Sequence, residues 1–182
     1  MSEVPFGSIE GLVFSQRQIE EDDRGSFSRI WEFDLPKGSM QEQNYATCIS
    51  SNVHAGTIRG LHFQIEPFEE HKWITCLDGS IFDVVLDLRR KSKTFGSWAQ
   101  IELHAHDATF LEIPPGIAHG FQTLSPRTRI LYSILGPYSI LHRKTINPFD
   151  RTLGITWPLK TSKISKVDQN APTLTEYLEE VR

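Results

Sequence analysis

The sequence predicts an all-β sandwich or jelly roll followed by one short C-terminal helix. Three observations carry this. Short runs rich in β-branched and aromatic residues recur at 45–50, 57–64, 73–77, 80–88, 98–103, 109–113 and 128–135. Turn-forming residues separate them: Asp78-Gly79, Lys93 through Gly96, Pro114-Pro115-Gly116 and Ser125-Pro126. A helical period shows at the end alone, where Leu174, Tyr177, Leu178 and Val181 fall at i, i+3, i+4 and i+7.

Among the strands, 80–88 alternates most clearly. Phe82, Val84, Leu86 and Leu88 share one face; Ile81, Asp83, Val85 and Asp87 share the other. The first 44 residues are less regular, with strand-like pieces at 12–15 and 27–31. No repeat, linker or low-complexity segment interrupts the chain. The reading is one domain over 1–182, with N-terminal strands in 1–44 and a helix in 172–182.

Composition narrows the function classes. The net charge of −4 is spread in mixed sign, which argues against a nucleic-acid binder. Cys48 and Cys76 form no CxxC or zinc spacing and are expected to be buried free thiols. The opening Met-Ser-Glu-Val-Pro lacks the basic and apolar regions of a signal peptide, and no apolar stretch reaches membrane-spanning length. A cytoplasmic globule is expected.

Chemistry-bearing side chains gather in four places: Gly56 through Gln64, His71-Lys72, Ile113 through Phe121, and the pair Tyr132 and Tyr138. Taken singly, each has a plain structural explanation as a satisfied core histidine, a solvated lysine or a packed phenol ring. Taken together, His62, Lys72, His119 and Tyr132 all fall on strands or strand ends of one barrel. A barrel that keeps polar groups on inward faces is building a cavity. Arg59 and His62 are three apart and would face opposite ways on a regular strand, unless Gly60 between them hosts a bulge. A metal site is not expected. His62-Phe63-Gln64 lacks the second imidazole of a His-x-His ligand pair, and His104-Ala105-His106 runs into a turn at Asp107 and reads as surface.

At these residues the sequence resembles the dTDP-4-dehydrorhamnose 3,5-epimerase family. The likeness rests on Arg59-Gly-Leu-His-Phe-Gln64, Asp83-Val-Val-Leu-Asp-Leu-Arg89, Ser92-Lys-Thr-Phe-Gly96, Ile113-Pro-Pro-Gly-Ile-Ala-His-Gly-Phe121 and Gly154-Ile-Thr-Trp-Pro158, in that order. It runs from Asp23-Arg24-Gly25 to about Asp168. The resemblance implies a cupin jelly roll without metal or cofactor, usually a homodimer with exchanged N-terminal strands, in deoxysugar and O-antigen or other polysaccharide biosynthesis. It implies His62 as general base, Tyr132 as general acid, Lys72 near the sugar, and Asp168 or Asp83 as the acidic partner of the base. It also implies substrate-binding roles for Arg24, Arg59, His119, Tyr138, Phe27 and Gln64. Five positions depart from the pattern. Arg29 replaces an acid, Thr47 and Ile49 replace the amides of a Gln-x-Asn pair, Arg143 stands for a glutamate and Val167 for a lysine. Arg29 and Thr47 are thereby candidate specificity positions.

The chemistry implied is inversion of the carbons flanking the keto group of a nucleotide-linked 4-keto-6-deoxyhexose, dTDP- or CDP-linked. The ketone acidifies its neighbouring C–H bonds, so a base, an acid on the opposite face and oxyanion stabilisation suffice. Two rivals remain: a 3,4-ketoisomerase on the same scaffold, and a non-catalytic sugar-binding cupin. The first would also use His62; the second would need no acid opposite a base.

Overall fold

Residues 2–31 and 45–181 are described by the computed structural model. Their strands are β1 (Val13–Gln16), β2 (Ile19–Asp22), β3 (Gly25–Ser28), β4 (Tyr45–Asn52), β5 (Ile58–Gln64), β6 (His71–Asp78), β7 (Ser80–Asp87), β8 (Trp98–His104), β9 (Thr109–Ile113), β10 (Ile117–Thr123), β11 (Thr128–Leu135) and β12 (Arg143–Thr145). The helices are α1 (Lys166–Gln169) and α2 (Leu174–Glu180). One sheet has the order β1-β9-β6-β11-β4, the other β12-β5-β10-β7-β8, and β2 pairs with β3 as a separate hairpin. All the ladders joining these strands are antiparallel. Two such facing sheets, with sequence neighbours split between them, make the expected jelly roll.

Alternation decides what lies between the sheets. Ile74, Cys76, Leu111, Ile113 and Ile130 from one sheet meet Ile81, Val85, Leu103, Ile117 and Phe121 from the other. The opposite face of the second sheet is also covered. Leu61, Phe63, Phe82, Val84 and Leu86 pack against Ile146, Leu153, Leu174 and Tyr177 of the C-terminal third. Strand β7 is therefore buried on both faces, although its sequence alternates. α2 is anchored by a capping box between Thr173 and Glu176, and the buried Asp150 accepts from its first backbone N–H, that of Leu174, at 2.8 Å.

Most expected strands are present within a residue or two. The expected strand at 27–31 is instead β3, which ends at Ser28, and 32–44 of the N-terminal region lie outside the described residues. Strand β10 went unread in the sequence because Gly120 and His119 dilute its apolar pattern, yet it is central in its sheet and all seven of its residues are buried. The thiols also differ from expectation. Cys76 is buried, and desolvation pushes it up to about 11. Cys48 is exposed, because β4 is an edge strand whose first five residues are all exposed.

Candidate active site

At one end of the barrel the inward positions change from aliphatic to polar, and a cavity of about 260 Å³ opens between the sheets. Its lining includes Arg59 and His62 from β5, His119 from β10, Lys72 from β6 and Tyr132 from β11. His62 and His119 are direct cross-strand partners in one sheet. Tyr132 stands in the other, paired with Ile74 of β6 and Cys48 of β4. The imidazoles and the phenol thus enter from opposite walls.

Arg59 and His62 share the cavity because the β5–β10 ladder slips. His119 pairs with His62 and Phe121 with Arg59, so three steps on β5 oppose two on β10. Gly60 sits in the slip with φ +124°, and a Cβ there would lie 2.5 Å from the Gly120 Cα. The facing glycines let the backbones approach closely enough for the bulge.

Each imidazole has a carboxylate behind it. His62 Nε2 lies 2.7 Å from Asp168 Oδ1, and Gly60 N–H donates to Asp168 Oδ2 at 3.4 Å. Asp168 is itself set by α1, whose N-cap Ser165 hydroxyl accepts from the Asp168 N–H at 3.0 Å. Burial alone would raise the Asp168 carboxyl, but the hydrogen bond and charge of His62 outweigh it and hold it below the usual carboxylate range. His119 Nε2 lies 2.7 Å from Asp83 Oδ2. Asp83 is 1% exposed, its Oδ1 has no hydrogen-bond partner among the described residues, and burial pushes its carboxyl upward against the pull of His119. Of the two expected partners for the base, Asp168 faces His62 and Asp83 faces the second histidine.

The remaining cavity groups are placed with equal economy. Tyr132 packs edge-on to His119 with ring centroids 6.1 Å apart, and desolvation followed by the Asp83 charge raises its phenol well above the ordinary range. Its proton is retained at neutral pH. Lys72 Nζ lies 3.1 Å from Glu70 Oε2, with both side chains nearly buried. Arg59 Nε donates to the neutral Asn52 Oδ1 at 2.9 Å, so that hydrogen bond leaves the guanidinium charge unneutralised. Glu70, which lines the cavity, was not singled out in the sequence. The signal was there: it stands two before Lys72, on the same side of an extended chain.

Other expected site residues stand elsewhere. Gln64 is buried, and its amide donates to the backbone carbonyls of Phe68 and Pro137 and accepts from the Ser139 N–H. It clamps the backbone on either side of Tyr138, whose own side chain is exposed. Arg24 is exposed at the β2–β3 turn and ion-paired with Asp22. Phe27 and Arg29 line a separate cleft of about 400 Å³ with Trp73 and Glu112, beside the outer face of the first sheet. Thr47 lies on β4 with its hydroxyl 3.5 Å from that of Ser133. His71 turns away from the cavity, stacks on Trp73 at 4.2 Å and meets Glu112 at 2.8 Å. His104 pairs with Glu102, and His106 with Asp107, at the surface. Among the described residues no three His, Cys, Asp or Glu side chains group as a metal site.

Fold and cavity together define a cupin-type jelly roll with a polar cavity between its two sheets. Residues 7–176 match the family described as dTDP-4-dehydrorhamnose 3,5-epimerase. A protein of that name from Shigella flexneri is 38% identical over 165 residues, 89% of this chain and 90% of the relative. Another from Sinorhizobium fredii is 41% identical over 128 residues, 70% of this chain, and the match spans 66% of that relative's length. The crystal structure of a dTDP-4-dehydrorhamnose 3,5-epimerase from Bacillus anthracis, with TDP and PPi bound, superposes with a TM-score of 0.81 at 34% identity, covering 90% of this chain and 94% of that one. The chain belongs to the dTDP-4-dehydrorhamnose 3,5-epimerase family.

Proposed function

We propose that the chain epimerises the carbons flanking the keto group of a nucleotide-linked 4-keto-6-deoxyhexose, with His62 as base and Tyr132 as acid. The observation that carries this is their opposition. A carboxylate-held imidazole stands on one sheet and a protonated phenol on the other, across a cavity sized for one sugar ring. With Asp168 accepting from Nε2–H, Nδ1 of His62 is left as the basic nitrogen, and Asp168 stabilises the imidazolium that forms. Removal of a proton from C3 or C5 puts negative charge on the ketone oxygen. Reprotonation from the Tyr132 side inverts the centre.

Lys72 supplies the charge that meets this enolate. His119 in its neutral form spends its N–H on Asp83 and presents an acceptor instead, so the donor role rests on the ammonium. Arg59 is suited to a diphosphate oxygen. Arg24 and Phe27 sit away from this chain's own cavity, which supports the homodimer expected from the family: the exchanged hairpin would bring Arg24 to the partner's diphosphate. Thymidine diphosphate is the nucleotide in the relatives' names. Arg29, Thr47 and Ile49 change the donor and acceptor set and favour cytidine diphosphate as the competing reading.

Proton NMR in deuterated water with dTDP- and CDP-linked 4-keto-6-deoxyglucose tests this. Deuterium should enter at C3, C5 or both, with the inverted product accumulating. His62→Asn should slow exchange by about 10²–10⁴-fold. Tyr132→Phe should retain exchange but lose inversion. Migration of the ketone to C3 would point to the ketoisomerase, and binding without exchange to a sugar-binding cupin.

A further inference from the structure

We propose that Glu70 is a positioning residue of this site: its carboxylate holds the Lys72 ammonium so that the remaining N–H donors meet the oxygen on which charge develops. The proposal rests on the epimerase reading above. Glu70 and Lys72 flank His71, so chain alternation sends both inward while His71 turns out to Trp73. Their side chains are 11% and 9% exposed and their charged atoms 3.1 Å apart. Among the described residues that line the cavity, Glu70 is the one carboxylate; Asp168 and Asp83 stand behind the imidazoles.

An ammonium on a flexible four-carbon stem has no preferred direction, unlike a guanidinium. In a cavity it shares with Tyr132, His119 and Ile134, the nearly buried Lys72 would lose its ion-pair partner without Glu70, and such a charge re-aims toward water or gives up its proton. With one N–H committed to Glu70, the other two have defined directions. The backbone that carries the carboxylate is itself held in place. Gln64 Nε2 donates to Phe68 O at 2.8 Å, two residues before Glu70. The chain also passes so close to Gly136 that a Cβ there would lie 2.5 Å from the Glu69 carbonyl oxygen. The segment leading into β6 has little room to shift.

The test compares Glu70→Gln, Glu70→Asp and Glu70→Ala, alone and combined with Lys72→Met. C–H exchange at saturating substrate is read by NMR, and nucleoside-diphosphate affinity by calorimetry. Glu70→Ala should lower the saturated exchange rate about tenfold or more, with the conservative variants intermediate. Nucleotide affinity should stay unchanged, which also shows that the variants fold. In the Lys72→Met background, adding Glu70→Ala should change little. Multiplicative losses in the double variant, or an unaltered rate in Glu70→Ala, would overturn the role. Where Lys72→Met is too slow to follow, the rate-against-affinity split decides: equal losses of both would make Glu70 a structural residue. Absence of exchange in the unmodified protein would overturn the epimerase reading and this one with it, whereas normal exchange there with multiplicative losses would remove Glu70 alone.

Discussion

At the residue scale the site is two histidine–carboxylate pairs that the surroundings have made unequal. Asp168 receives the Gly60 N–H as well as His62 and is held low; Asp83 keeps one buried oxygen without a hydrogen-bond partner among the described residues and is pushed high. An ionised Asp168 is therefore the better support for His62 in its proposed role, in which the base must become cationic. Asp168→Asn should slow exchange sharply while nucleotide binding persists, because an amide can fix the ring but cannot balance the imidazolium. A pH signature accompanies it. A carboxyl held below its unfolded value contributes stability that is present above that value, about pH 4, and is lost as pH falls through the folded value. Urea unfolding below pH 4 should show that loss in the parent protein and a shallower loss in Asp168→Asn. Equal slopes would show that Asp168 carries no such linkage.

At the element scale, the bulge in β5 puts Arg59 and the proposed base His62 into one cavity. Without the extra residue, Arg59 would point to the outer face with Leu61 and Phe63, toward an apolar cluster. Gly60→Ala should be severe. The added Cβ meets Gly120 Cα at 2.5 Å and His119 O at 2.9 Å on a φ of +124° that side chains rarely adopt. A loss of about 2 kcal/mol or more is expected, measured as a lower urea midpoint, together with a fall in exchange from misplacing His62 and His119 at once. An unchanged midpoint would mean the strands part easily there. The same scale explains Gln64. Its amide gives both N–H donors and one acceptor site to backbone, so it holds Tyr138's segment in place.

At the scale of the whole molecule, β2–β3 is unlike the rest. It forms its own two-stranded sheet, all four residues of β2 are exposed, and Phe27 is 63% exposed. A two-stranded ribbon is marginal alone in water, and an exposed Phe beside an exposed Arg is an unfinished surface. The homodimer proposed above completes it. Sedimentation should give twice the chain mass. Arg24→Ala and His62→Asn, each impaired alone, should recover activity on mixing and re-equilibration, since one mixed site then holds both intact residues. Failure to recover, with mixed dimers demonstrated, would return Arg24 to its own chain's site or to none.

The short β-branched runs, their turns and the terminal helical period determined an all-β fold with a C-terminal helix, because alternation and turn chemistry are local properties of the chain. Motif order also carried the family and the cavity residues His62, Lys72, His119 and Tyr132. The tertiary structure decided what depends on partners distant in sequence. It gave Asp168 rather than Asp83 to His62, across a separation of 106 residues. It made β10 a buried central strand despite its glycine, since neighbours on both sides supply the ladder. It left Cys48 on an edge and sent Arg24 and Phe27 away from the cavity of their own chain. Glu70 lay between these cases: its two-residue spacing from Lys72 was legible, but only burial on both sides showed that the pair faces inward, because a local period marks which residues share a face and not which face the fold covers.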